Sequence, residues 1–207
     1  VIKTLPMPEH DFLMGTMTVG DSLIILAQGG IMTMSSLPLA NNEGVLSSSE
    51  TRRLDGAPGC IGHRAFTSFS SDGPLAGAWI SAVGVHVTSV AQHARISNDL
   101  DWNAIVNKST LDTAILTWDE ERQILVMDYD FDGDGTNDRT LFFHMAEEHR
   151  KQNGRPKITG PHYRKAQCIA KVNLDGTWLW WTGNSNNRIY NEWVASDHDS
   201  SLAYNVS

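Results

Sequence analysis

Two cysteines in 207 residues, Cys60 and Cys168, are too few for a disulfide scaffold. No Cys-x-x-Cys occurs, which removes zinc-ribbon and dithiol redox chemistry. Spacing alone does not pair the two thiols, and both are expected to be buried and free. Positive charge is also short: 16 Lys and Arg stand against 24 Asp and Glu, a formal net charge of −8. That balance argues against a general nucleic-acid-binding surface, which would be basic. No run of about 18 apolar residues is present, so no membrane-spanning helix is expected. G-x-x-x-x-G-K-[ST], G-x-G-x-x-G and G-x-S-x-G are absent, which leaves nucleotide use and a nucleophile elbow without support. The chain opens Val1-Ile2-Lys3 without a signal peptide, and the expectation is a processed product or a part of something longer.

Helical periodicity is nearly missing too. Its best candidate, 146–152, is short and polar all round, and reads as a surface turn. Strand signals recur instead. Residues 12–19, 22–28 and 31–35 form one set, separated by Gly20-Asp21 and Gly29-Gly30, which carry hairpin-turn chemistry. A second set is 65–68, 78–83, 85–89 and 94–96. A third is 113–118, 123–129 and 140–145, with 157–159 a candidate addition. A fourth is 167–172, 177–181 and 188–193. The sets repeat at roughly 40–50 residues, the period of propeller blades, because a small sheet that is apolar on both faces needs a neighbour on each side. A sandwich of many strands gives a similar pattern. The predicted class is all-β and propeller-like, with about four small antiparallel sheets forming an incomplete ring. Residues 1–195 make this domain and 196–207 a polar C-terminal tail. The segment 37–56 reads as a long polar surface loop.

The sharpest local signal is Asp130-Phe-Asp-Gly-Asp-Gly-Thr-Asn-Asp138. Hard cations such as calcium take six to eight oxygen ligands. On the positions of a calcium loop, Asp130, Asp132 and Asp134 are first, third and fifth, the Thr136 carbonyl seventh and Asp138 ninth. These five are the candidate metal ligands and calcium the candidate ion. The twelfth position is Leu141, so the bidentate Glu of an EF-hand is missing. Short apolar β-forming flanks make the unit strand–loop–strand. The expected role is to brace a hairpin, and without an ion the same segment would be an acidic, solvated hairpin tip.

Other clusters read more plainly as structure. Trp178 and Trp180 share one face of a strand and Trp181 takes the other, which suits inter-sheet packing, with a sugar platform as the alternative. His144, His149 and His162 lack H-E-x-x-H spacing. Lys151, Arg155, Lys157, Arg164 and Lys165 form a basic stretch that reads as a solvated charged loop, with an acidic neighbouring subunit or DNA in a channel as alternatives. Asp197, His198 and Asp199 fall in the polar tail. No catalytic and no cofactor-binding residue is assigned.

Several segments together resemble the β-propeller structural proteins of tailed-bacteriophage tails, of the nozzle and tail-tube kind. They are Gly59-Cys-Ile-Gly-His-Arg-Ala-Phe66; Gly77-Ala-Trp-Ile-Ser-Ala-Val-Gly-Val-His-Val-Thr88 with Ala94-Arg-Ile-Ser97; Ala114–Asp119 with Ile124–Met127; Lys157–His162; and Asp175–Gly183 with Arg188–Tyr190. Val83 stands where that pattern has a turn Asp, and Ala65 where it has Ser. The acidic loop also resembles the calcium loops of FG-GAP-type repeats. The first resemblance implies a virion component located in a phage tail, packing against identical copies and other tail subunits, with no catalytic residues to carry over and no enzyme activity. The alternatives are a calcium-binding propeller module that recognises glycan or protein, and a propeller glycosidase.

Overall fold

The structure, a computed structural model, describes residues 11–35, 50–70, 75–89, 92–147, 154–174, 177–183, 188–192 and 204–205. It is all-β, 54% strand and 6% helix. Four four-stranded antiparallel sheets follow one another along the chain, each a meander in chain order. Sheet 1 holds β1 (Leu13–Val19), β2 (Ser22–Ala27), β3 (Ile31–Ser35) and β4 (Glu50–Arg53). Sheet 2 holds β5 (Phe66–Ser70), β6 (Leu75–Ser81), β7 (Gly84–Thr88) and β8 (His93–Arg95). A short helix α1 (Trp102–Ile105) and a 3₁₀ turn (Leu111–Thr113) lead into sheet 3, made of β9 (Ile115–Asp119), β10 (Ile124–Tyr129), β11 (Arg139–His144) and β12 (Lys157–Tyr163). Sheet 4 holds β13 (Cys168–Leu174), β14 (Thr177–Gly183), β15 (Arg188–Glu192) and β16 (Tyr204–Asn205).

The burial of individual strands explains why the sheets stack as in a propeller. All six residues of β10 are buried, as are five of six in β2 and the last five of β6. A strand covered on both faces needs a neighbouring sheet on each side, and its sequence runs apolar rather than alternating. The first strands provide the meeting line: β1 touches β5 and β6, and β9 touches both as well. One hydrophobic cluster runs through sheets 1, 2 and 3, from Met17 and Ile24 through Trp79 and Ile80 to Leu125 and Phe143. The outermost strand of sheet 3, β12, is by contrast mostly exposed.

Two polar strands depart from the sequence expectation. The segment 37–56 was expected as loop, yet Glu50–Arg53 pairs with Met32–Ser35. An edge strand needs no apolar face, and Arg53 supplies a different hold by donating from Nη2 to the Gly29 carbonyl (2.8 Å). Tyr204–Asn205 pairs with Arg188–Ile189, so the stretch beyond residue 195 contributes to sheet 4. The helical candidate 146–152 and the cluster 197–199 fall wholly or largely outside the described residues. Both thiols are free, but only Cys60 is buried; Cys168 is exposed because it opens the edge strand β13. Burial pushes the Cys60 thiol up to about 11, so it is inert at neutral pH.

Sheet 2 contains a triangle of rings, Trp79, His86 and His93, the first two of them buried. His86 stacks on Trp79 (ring centres 5.2 Å apart) and lies 5.9 Å from the His93 ring. Only 4% of His86 is exposed, and neither ring nitrogen has a hydrogen-bond partner among the described residues. Burial, then the nearby charges of His93 and Arg95, push its pKa from 6.5 down to about 4. The folded chain therefore resists the proton that the unfolded chain accepts. Stability is fully present above pH 6.5 and is expected to fall as pH drops towards about 4, by about 3 kcal/mol in all. Urea unfolding across that window checks it. His86→Phe should lose less stability on acidification than the parent, and equal losses would contradict the assignment.

Candidate metal centre

The acidic loop is the turn between β10 and β11, which pair from Ile124 with His144 to Tyr129 with Arg139. Its base is closed by the Asp138 N–H, which donates to the Tyr129 carbonyl (3.0 Å). The Arg164 N–H donates to the Asp138 carbonyl (3.0 Å), tying the same point to the segment after β12. Above this base the chain turns through Gly133 and Gly135, both at φ +85°. That left-handed conformation is one that glycine adopts without steric cost.

The carboxylates are oriented by the loop's own backbone. Asp130 is fully buried; its Oδ1 accepts from Gly133 N and its Oδ2 from Gly135 N, both at 2.7 Å. Asp132 Oδ1 accepts from Asp134 N (3.2 Å), and Asp134 Oδ1 from Thr136 N (2.7 Å). Asp138 Oδ1 accepts from Phe131 N (3.0 Å), while Oδ2 meets Arg139 Nη1 at 2.8 Å. Oxygens of Asp130, Asp132 and Asp138 come within 4.8 Å of one another. Of the five sequence-predicted ligands, these three converge. Asp134 lies outside the trio, its Oδ1 turned to Thr136 N, and Thr136 sits half-buried in the turn. Leu141, at the twelfth position, is fully buried in β11 and contributes apolar packing.

The group fits a hard divalent cation. Each pair of carboxylates at this separation repels by about 3 kcal/mol at an effective dielectric near 20. Arg139 offsets one negative charge. Each carboxylate oxygen that takes one hydrogen bond keeps a second lone pair. An all-oxygen donor set suits calcium or magnesium rather than zinc or copper. The trio can therefore hold a metal ion.

Asn137 is the residue that the sequence reading missed. It is fully buried, accepts from Thr113 Oγ1 through Oδ1 (3.1 Å) and donates from Nδ2 to the Thr113 carbonyl (3.1 Å). Its own carbonyl accepts from Ala166 N (3.3 Å). It thus pins the loop to the 3₁₀ turn before β9 and to the approach to β13. The only sequence signal was an amide where the alternating carboxylates stop.

No family model matches this chain, and no curated protein matches it either. The remaining candidate groups are assigned by their contacts. His144 Nε2 lies 3.1 Å from Thr159 Oγ1, and the His162 ring packs 5.4 Å from Phe142; His149 is outside the described residues. Trp180 is 7% exposed, so its ring is packing surface, and the Trp178 side chain is outside the described set. In the basic stretch, Arg155 pairs with Asp99 (2.9 Å), and Arg164 lies 3.8 Å from the buried Asp128. Lys157 and Lys165 are exposed, and Lys151 is outside the described residues.

A separate set of residues joins the sheets. Cys60 N donates to the Ala27 carbonyl (2.9 Å) in sheet 1, and Ile61 N to the Ile80 carbonyl (3.1 Å) in sheet 2. Leu116 N, in sheet 3, donates to the Arg64 carbonyl (2.9 Å). The Arg64 guanidinium donates to the Thr113 carbonyl (3.3 Å) and to the Gln167 carbonyl (2.7 Å), just before sheet 4. His63 Nδ1 lies 2.8 Å from the Met14 carbonyl in β1. The segment 59–66 is a joint that touches all four sheets or their leads.

Proposed function

We propose that this chain is a structural protein of a phage tail, acting by assembly with identical copies and other tail subunits, with a calcium ion bracing the β10–β11 hairpin. The observation that carries the reading is the joint. Gly59–Phe66, the first segment of the resemblance to tail propeller proteins, spends its side chains and backbone on binding sheet to sheet. A residue set used in this way serves rigidity rather than turnover. Four sheets with an open arrangement leave end faces for other copies to cover, and obligate interfaces of that kind are large and apolar. Calcium fits the role of a brace because Asp130, Asp132 and Asp138 stand over a hairpin already fixed at its base. In the basic stretch, Arg155 and Arg164 face carboxylates of the chain itself, which weakens the case for DNA in a channel.

Sedimentation velocity over a concentration series in calcium buffer tests this reading. Self-association into a defined oligomer is the expected outcome. A monomer at every concentration, together with measurable turnover of a glycoside substrate, would overturn it.

A further inference from the structure

Beside the acidic loop lies a cleft of about 510 Å³, lined by Asn103, Ala104, Val106, Asn107, Lys108 and Phe131. Its volume is in the range of small-ligand sites, and it is shallow and open to solvent, a form that suits a ligand held on one face. We propose that this cleft binds a neutral saccharide, stacked on Phe131 and hydrogen-bonded by Asn103, Asn107 and Lys108. The inference stands apart from the assembly reading and does not need it.

Phe131 is the first reason. It is a large apolar side chain, 42% exposed, in a loop otherwise made of Asp, Gly, Thr and Asn. Its position is fixed: its N–H donates to Asp138 Oδ1 (3.0 Å), and the Arg139 guanidinium sits 5.4 Å from its ring centre. That guanidinium also lies 5.0 Å from the ring of the exposed Tyr163, so it is wedged between two aromatics. An aromatic ring held at the mouth of a cleft offers its face to the C–H face of a sugar ring.

The donors are the second reason. Asn107 Oδ1 accepts from Ser109 N (3.1 Å) and Ser109 Oγ (2.7 Å), which fixes the amide. Its Nδ2 then lies close against Gly133, where a Cβ would come within 2.5 Å of it, so the Asn107 side chain reaches the acidic loop. Asn103 and Lys108, both exposed, line the same cleft. Two amides and an ammonium supply directional donors, and the Asn103 amide supplies an acceptor as well, a match for hydroxyl groups. The remaining lining residues, Ala104 and Val106, are small and apolar. Among the described residues no carboxylate lines the cleft. The net charge of −8 on the chain disfavours a polyphosphate or a nucleic acid and costs a neutral sugar nothing.

The test is an array of neutral and acidic oligosaccharides probed with the full chain in calcium buffer. Binding to neutral oligosaccharides is expected, weakened roughly tenfold in Phe131→Ala, the weight of one stacked ring, and restored in Phe131→Tyr. Asn103→Ala, at an exposed position, is expected to weaken binding severalfold with an unchanged unfolding temperature. Absence of binding to every saccharide, binding only to acidic ones, or affinity unchanged in both alanine variants would each overturn the proposal.

Discussion

Gly59→Ala is expected to destabilise the fold by about 4 kcal/mol or more, in the class of the most severe single substitutions. A Cβ at residue 59 would stand 1.8 Å from the Gln28 carbonyl oxygen and 2.3 Å from its carbon. Both are backbone atoms, so no rotamer change can relieve the overlap. Moving the segment away would stretch the bond from Cys60 N to the Ala27 carbonyl, now 2.9 Å, and with it the seam between sheets 1 and 2. The loss is a large part of the 5–15 kcal/mol or so that holds a typical domain folded. Gly29→Ala is the control, because there the nearest atoms belong to the flexible Asp11 side chain at 3.0 Å. Urea unfolding of the two variants and the parent decides it. A Gly59→Ala midpoint beside that of Gly29→Ala would mean that the joint is not tight.

The second large effect concerns the ion. Removing calcium with EDTA is expected to lower the unfolding temperature. A ligand held at a hundred times its Kd adds about 2.7 kcal/mol, which for a chain of this size corresponds to roughly 5–10 °C. The choice of variant matters. Asp130→Ala would free the N–H groups of Gly133 and Gly135 and damage the loop with or without an ion. Asp132 and Asp134 are exposed at the tip, and each accepts one bond from a residue two further on. Asp132→Ala with Asp134→Ala therefore removes a member of the converging trio while sparing the base. The double variant should unfold at one temperature with and without EDTA. An EDTA shift as large as the parent's would place the ion elsewhere.

Most of the strands were legible because their signals are local. Gly20-Asp21 and Gly29-Gly30 separate β1, β2 and β3, and the apolar runs on either side of the acidic loop became β10 and β11. The polar edge strands β4 and β16 were not legible, since their partners, rather than their own pattern, make them strands. At Val83 the pattern lacks its turn Asp, and Ser81 does the work instead: its Oγ accepts from Val83 N (3.1 Å) and donates to the Gly84 carbonyl (3.0 Å).

The site was legible in kind and only partly in detail. Alternating carboxylates marked the loop and spacing named Asp130, Asp132 and Asp138, but it could not tell that Asp134 leans to Thr136 N. Alternation put Trp178 and Trp180 on one strand face and read them as inter-sheet packing, and the Trp180 ring is covered. The joint was hidden most completely. Residues 59–66 read as strand and turn, whereas Arg64 reaches across the fold to the Gln167 carbonyl, 103 positions away. Contacts of that range leave no periodicity to read.

The central claim, assembly within a phage tail, is tested most directly by immunogold electron microscopy with antibody raised against this chain, applied to particles from the source culture. Gold at one fixed position on tails is the expected result. Tailed particles without gold, in a culture where the chain is found free, would contradict it.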